Sequence, residues 1–172
     1  MLYDITRTVT PNLQVWPGDT PYHLDHALTL EKGEAVNLTT LHLSAHTGTH
    51  ADAYYHYTAQ GEHPAAMPLD AYIGPAQVVT VEKRDGPLFP TDFAQADIIQ
   101  PRLLIHSHVS HINDDTWPGQ FPYLSVELIA WFAQRGGLLI GLDSPSVDAF
   151  DSTDLPCHHA LRQHKLVNLE TL

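Results

Sequence analysis

The sequence predicts an α/β fold with more strand than helix. Residues 22–30 and 36–43 alternate apolar and polar side chains with the period of two that half-buried strands show. Further along, residues 124–134 carry apolar side chains at helical spacing, and the fully apolar run 138–142 follows almost at once. A short apolar run of this kind is typical of a strand buried on both faces. The presence of both patterns in one chain predicts the α/β class.

The first half of the chain is predicted to be mostly strands and turns. Residues 2–6 indicate a short strand, and the loop 15–21 is dense in the turn formers Pro and Gly. The alternating segments 22–30 and 36–43 should pair, with Gly33 in the link between them. The second of these strands leads directly into a histidine-rich segment at 46–56.

The second half of the chain is predicted to alternate strands and helices. Further strands are expected at 76–82, 103–108, 138–142 and 166–169. Ser125 is suited to be the N-cap of the helix 124–134, and Gly136 to end it. Residues 158–164 predict a second, shorter helix.

Composition limits the possible functions. A chain of 172 residues with 43% hydrophobic residues is long and apolar enough to bury a hydrophobic core. We expect a single domain that comprises residues 1–172. Eight Lys and Arg residues and a net charge of -12 argue against nucleic acid or an anionic membrane as partners. With a single cysteine, Cys157, no internal disulfide can form. The N-terminus shows no signal peptide, and no apolar run is long enough for a membrane span, so a cytoplasmic protein is expected.

The histidine-rich segment is the strongest functional signal. His46, His50, Asp52 and His56 are all even-numbered, so an extended chain would place them on one face, whereas a helix would spread them over roughly 160°. Imidazole and carboxylate groups together are the ligands of zinc or a similar divalent cation. Gly48 can let the backbone bend around an ion. Solvent-facing histidines on a polar strand are the weaker interpretation.

Other candidates are weaker by themselves. His158 and Glu170 occupy positions where such residues are common without a function. Cys157 beside His158 has the form of a Cys-His nucleophile pair, but a lone cysteine is more often a buried small side chain. No Gly-x-Ser-x-Gly elbow supports a serine hydrolase. The loop 142–148 follows a buried strand and either lines a site or only caps a turn. Trp16 either stacks on an aromatic substrate or anchors the core.

Taken in order, these segments resemble the cyclase-like metal-dependent hydrolases. The resemblance runs through nearly the whole chain. Four motifs carry it: Trp16-Pro-Gly-Asp-Thr-Pro, His46-Thr-Gly-Thr-His-Ala-Asp with His56, Leu142-Asp-Ser-Pro-Ser-Val-Asp, and His158-His-Ala-Leu. The second motif marks the wider family, and the first and third favour its bacterial kynurenine formamidase (arylformamidase) branch. The fold implied is a single α/β domain around a twisted, barrel-like mixed sheet with flanking helices, usually a homodimer.

The resemblance also implies roles for particular residues. His46, His50 and Asp52 would bind one zinc or other divalent ion, and Asp52 would also reach a second. His158 would bind that second ion. Glu170 lies twelve residues beyond His158, the family's spacing, and would bridge both. The remaining two roles are a general acid/base, His56, and a substrate contact, Trp16.

Two departures from the family pattern are visible. Tyr54 stands where the family usually has proline, which alters a pocket wall but removes no ligand. The family also continues for a few dozen residues beyond the bridging Glu, whereas this sequence stops at Leu172, so a shortened C-terminus is expected.

The predicted reaction is hydrolysis of N-formyl-L-kynurenine to L-kynurenine and formate in tryptophan degradation. Two other interpretations stay open at this point. One is a different cyclase-family hydrolase acting on another amide or a lactone, and the other is a non-enzymatic metal-binding module. A binding module would not need an unligated His56 beside the ions.

Overall fold

The computed structural model describes residues 3–172 and shows a mixed α/β architecture, which confirms the predicted fold class. The strands of this part of the chain form three small sheets, not one continuous mixed sheet. An antiparallel hairpin joins β1 (His23–Leu28) to β2 (Leu38–His42). The central sheet is parallel in the order β3-β5-β7-β8, formed by Gln77–Thr80, Arg102–His106, Leu139–Leu142 and Val167–Leu169. A short parallel pair consists of β4 (Gly86–Leu88) and β6 (Pro122–Leu124).

The central sheet and two helices enclose the main core. The helices are α2 (Val126–Ala133) and α3 (Pro156–His164), and a one-turn helix, α1 (Leu69–Tyr72), precedes β3. All four residues of β7 are buried because the strand lies between β5 and β8 and beneath the helices. The apolar run that predicted this strand reflects burial on both faces. The core positions β7 and β8 as a rigid support for the residues that follow them.

The helix signals are confirmed. The Ser125 hydroxyl accepts a hydrogen bond from the Leu128 amide at 3.1 Å and caps α2, as its sequence position predicts. Gly136, with φ of +80°, follows the end of that helix. None of the helices within residues 3–172 has the length and apolar character needed to span a membrane.

Some local predictions differ from the structure. Of the predicted strand 2–6, Leu2 lies outside the described residues, and residues 3–6 have irregular backbone. Strands β4 and β6 were not predicted, because three residues are too few to show a period of two and both contain proline.

The hairpin of β1 and β2 is largely exposed. Every residue of β2 is exposed, and Leu38 and Leu41 each leave more than half of their surface to solvent. A two-stranded hairpin alone is marginally stable in water. The apolar side chains of this hairpin therefore lack a covering layer among the described residues.

Candidate active site

The histidine-rich segment reaches one site through turns, not as an extended strand. The backbone turns between Ala45 and Thr49, and Gly48 there has φ of +67°. Residues 54–56 form a single 3-10 turn. The period-two argument is therefore wrong in its geometry, because a left-handed glycine and a 3-10 turn both break strand alternation. Its conclusion, that the four ligand-type side chains converge, agrees with the structure.

The end of the central sheet brings Glu170 to this turn. Glu170 follows β8 directly, and its backbone exchanges two hydrogen bonds with His50, of 3.2 and 3.0 Å. Thr49 adds a side-chain bond to the carbonyl of Thr171 at 2.5 Å. Hydrogen bonds thus fix the turn to the end of the last strand.

Two buried carboxylates form the centre of the site. Asp52 Oδ1 lies 3.1 Å from His46 Nδ1 and 3.6 Å from His50 Nε2, whereas its Oδ2 lies 3.5 Å from His158 Nε2. Glu170 repeats the pattern, with Oε2 3.6 Å from His50 Nε2 and Oε1 3.7 Å from His158 Nε2. Each carboxylate therefore has one oxygen facing His158 and the other facing His50, and Asp52 also faces His46.

Two triplets within this cluster are compact enough to hold an ion. The possible ligand atoms of His50, Asp52 and Glu170 lie within 4.8 Å of one another, and so do those of His46, Asp52 and His56. Asp52 belongs to both triplets, in line with the expected sharing of this carboxylate. The second triplet includes His56, which the resemblance assigns to proton transfer.

Burial and charge set the protonation of the carboxylates. Burial alone would raise the pKa of Asp52, but hydrogen bonds with His158, His46 and Asn168 outweigh it and hold that pKa well below its usual range. Burial, together with the nearby charge of Asp52, raises the pKa of Glu170 to about 8. One ionised carboxylate thus sits beside one that holds a proton at neutral pH when no cation is bound.

The histidines differ in their protonation. Burial opposes the charge of His158, yet hydrogen bonds to Asp148 and Asp52 raise its pKa to about 9. The hydrogen bond to Asp52 also raises the pKa of His46. Burial lowers the pKa of both His50 and His56, so these two rings favour the neutral form.

His56 is more open to solvent than His46, His50 and His158. Its ring centroid lies 4.1 Å from that of His46 and 6.1 Å from that of His158. This position lets it reach the cavity above the carboxylates.

A cavity of about 320 Å³ opens over the cluster. Trp16 lines it, as do His46, His56 and Trp117. The Trp16 ring meets Trp117 edge-on at 5.5 Å between centroids and lies 5.1 Å from Phe150. The loop of Trp16 is a tight turn, with Gly18 at φ of +94° and the Asp19 amide donating to the Trp16 carbonyl at 2.9 Å. An aromatic wall and the His-carboxylate cluster therefore face the same space.

Three residues at the site were not predicted. Asn168 donates to Asp52 Oδ2 at 2.9 Å and to Glu170 Oε1 at 3.3 Å. No sequence signal marks it. Trp117 begins a Trp-Pro-Gly tripeptide like that of Trp16, and this repeat could have identified it. Asp148 contacts His158 and lies in the loop 142–148, for which the sequence predicts either a site or a capped turn.

That loop has both of the functions considered for it. Asp143 secures structure, since it accepts hydrogen bonds from the amides and hydroxyls of Ser107 and Ser110 at 2.6 to 3.1 Å, and it also lines the cavity. Asp148 contacts a site histidine at 2.7 Å. The loop therefore both stabilises the fold and belongs to the site.

Known proteins share both the sequence and the fold. The Cyclase family matches residues 3–149. The kynurenine formamidase of Salinibacter ruber (strain DSM 13855 / M31) is 40% identical over 173 residues, covering 99% of this chain and 82% of that protein.

Two solved structures show the same fold at lower identity. A potential metal-dependent hydrolase with cyclase activity superposes with a TM-score of 0.81 at 20% identity, over 99% of this chain and 80% of the other. Isatin hydrolase A from Labrenzia aggregata, bound to benzyl benzoate, has a TM-score of 0.80 at 20% identity, over 99% and 79%. The family resemblance inferred from the motifs is confirmed. This chain belongs to the Cyclase family.

Proposed function

We propose that this protein is an arylformamidase that hydrolyses N-formyl-L-kynurenine to L-kynurenine and formate. One observation carries the proposal: the buried His-carboxylate cluster and the aromatic wall of Trp16 and Trp117 face one cavity. An aryl formamide needs both features, a centre that cleaves the amide and a flat apolar surface for the ring. The 40% identity to a kynurenine formamidase supports the same reaction.

The cluster fits a divalent cation, and we propose two zinc ions. Asp52 Oδ1 is buried and makes no well-formed hydrogen bond, and the groups that face it are His46 Nδ1 at 3.1 Å and His50 Nε2 at 3.6 Å, which are themselves cation ligands. Imidazole nitrogens and carboxylate oxygens are the donor set of zinc. His46, His50 and Asp52 would hold one ion. His158 would hold the other, with Asp52 and Glu170 shared. Such ions supply a reactive water at neutral pH and polarise the formyl carbonyl.

His56 is proposed to move the proton. Its neutral ring, favoured by burial, can take a proton from the attacking water and return it to the aniline-type nitrogen as the C–N bond breaks. Water thus adds across the amide, and formate and the free amine leave. Trp16 would hold the aromatic ring of the substrate while this happens.

Two alternative functions predict a different result in a turnover assay. A cyclase-family hydrolase acting on a different amide or on a lactone would have the same ion site, so only turnover separates it. A binding module would hold metal without turnover. The relationship to a formamidase over nearly the whole chain does not favour either.

We also propose a homodimer, in which the hairpin of β1 and β2 covers a partner's surface. The exposed apolar side chains of this region are Leu30, Val36, Leu38, Leu41 and Leu43. Single apolar residues are ordinary on a surface, but five exposed ones between residues 30 and 43 favour an interface. A cytoplasmic location remains a prediction from the sequence.

The test is hydrolysis of N-formyl-L-kynurenine by chelator-stripped protein and by the same protein after zinc is restored. Zinc should restore release of formate, and Asp52→Ala should lose both zinc and turnover. Asp97→Ala, which removes an exposed carboxylate, is the matched control. Stoichiometric zinc with hydrolysis only of another amide or a lactone would contradict the substrate assignment. Stoichiometric zinc without any hydrolysis would indicate a binding module.

A further inference from the structure

Asp148 is a buried carboxylate between β7 and α3 with no role in the reaction described above. Its side chain is almost fully buried. An ionised carboxylate in such a place must be compensated by hydrogen-bond donors. Three donors surround Asp148, and all three belong to the first turn of α3.

Two of these donors are backbone amides that the helix leaves free. Asp148 Oδ1 accepts from the Cys157 amide at 2.8 Å, and Oδ2 accepts from the His158 amide at 3.1 Å. Leu155, the N-cap, has φ of +46° and no side-chain oxygen to serve them. Asp148 therefore caps the helix from outside, and the position of the carboxylate and the start of α3 are set together.

The third donor is the His158 ring. Nδ1 lies 2.7 Å from Asp148 Oδ2. Because both oxygens of Asp148 already accept backbone amide protons, the carboxylate acts as an acceptor here and the ring nitrogen that faces it is the donor. Nε2 then points toward Asp52 and Glu170, at 3.5 and 3.7 Å.

His50 is oriented in the same way by a different acceptor. Its Nδ1 lies 2.8 Å from the carbonyl of Gly48, which also can only accept, and its Nε2 faces the same two carboxylates. Two rings on separate elements thus each donate from Nδ1 and present Nε2 to the cluster. A ligating histidine characteristically donates its other N–H to such an acceptor, which fixes its tautomer.

We propose that Asp148 is the positioning residue of His158: its carboxylate holds the Nδ1 proton and thereby keeps Nε2 directed at Asp52 and Glu170 for a divalent cation. This inference rests on the proposed cation site. It assigns Asp148 the role of orienting a ligand, which is different from binding the cation itself. Loss of an acceptor behind a ligating histidine typically lowers metal affinity 10- to 100-fold. Helix α3 would meanwhile lose its cap.

The experiment titrates chelator-stripped protein with zinc against a chromophoric chelator. Asp148→Ala should weaken zinc binding about 10- to 100-fold. The matched control is Ser125→Ala, which removes the cap of the neighbouring helix α2 without touching the cluster. It should lower the thermal midpoint and leave zinc affinity as in the wild type. Wild-type affinity in Asp148→Ala would overturn the proposal.

A second measurement needs no variant and therefore holds even if Asp148→Ala does not fold. Nitrogen-15 NMR of the metal-free wild-type protein, at a pH at which the His158 ring is neutral, should show Nδ1 protonated and Nε2 free. A neutral ring protonated on Nε2 instead would overturn the proposal. If the wild type binds no zinc, the proposed cation site fails, while the metal-free spectrum still decides whether Asp148 holds the ring.

Discussion

The site histidines differ in what holds them, and this difference predicts their roles. His158 is buried and His50 half-buried, and both are oriented through Nδ1, whereas His56 is exposed and stands beside His46. We expect His56→Ala to keep its zinc and lose roughly 10²- to 10⁴-fold in kcat, the usual contribution of general acid/base catalysis.

The measurement for His56→Ala is kcat together with zinc content in the same preparation. His63→Ala removes another exposed histidine of the same region, one that stacks on Tyr55 outside the cavity, and should behave as the wild type. Loss of zinc in proportion to activity would make His56 a ligand, as its place in a compact triplet allows.

Trp16 tests whether the aromatic wall binds substrate. Trp16→Ala should weaken turnover of N-formyl-L-kynurenine roughly two- to twelve-fold, because an aromatic contact is worth about 0.5–1.5 kcal/mol beyond area burial. A small aliphatic formamide should lose less. The comparison is kcat/KM for both substrates. Equal losses would mark Trp16 as an anchor for Trp117 and Phe150, with which it packs.

Cys157 should be inert despite its position next to His158. The side chain is buried, its thiol donates to the carbonyl of Leu124 at 3.1 Å, and burial raises its pKa far above neutrality. The nearby charge of Asp148, which accepts the backbone amide of this residue, also disfavours the thiolate. Cys157→Ala should therefore retain kcat, and native protein should resist alkylation by iodoacetamide. Inactivation by the reagent would revive the Cys-His nucleophile pair.

At the scale of elements, the exposed hairpin predicts an interface. Replacing Leu38 and Leu41 together by Asp should shift the protein from dimer to monomer, since charge on an apolar interface costs desolvation. Light scattering after size-exclusion chromatography measures the mass. Ile99→Asp alters an even more exposed apolar residue in a loop outside the hairpin and should leave the mass unchanged. A wild-type monomer, or a double variant that stays dimeric, would contradict this interface.

At the scale of the whole molecule, the buried charges make stability depend on the cation. Zinc at about 100 times its Kd should stabilise the fold by roughly 2.7 kcal/mol. For a chain of this size, that corresponds to a rise of roughly 5 to 11 °C in Tm. Thermal unfolding with zinc and with chelator measures the shift. Asp52→Ala should abolish it, and an unchanged shift in that variant would place the zinc elsewhere.

The zinc-dependent shift should also grow with pH. Without a cation, Glu170 has a pKa raised to about 8 and His158 one raised to about 9, so both hold protons at pH 6. Zinc must displace these protons, and raising the pH from 6 to 8 removes part of the competition. The increase in Tm caused by zinc should therefore be larger at pH 8 than at pH 6. A larger shift at pH 6 would contradict this protonation.

Local chemistry was sufficient to predict much of this protein from its sequence. The buried strand β7, the Ser125 cap and the family all follow from residue types at short spacing, because burial, capping and motif chemistry are expressed within a few neighbouring positions. The ligand types of the 46–56 segment likewise need no tertiary information to suggest a cation.

Only the tertiary structure decided how those groups meet. Gly48 and a 3-10 turn bring the His46 segment together where strand alternation was expected, and β8 delivers Asn168 and Glu170 from more than a hundred residues away. Asp148 becomes a partner of His158 only because the loop after β7 folds back over the start of α3. Such contacts depend on how strands and helices pack, and no short-range pattern in a single sequence records that packing.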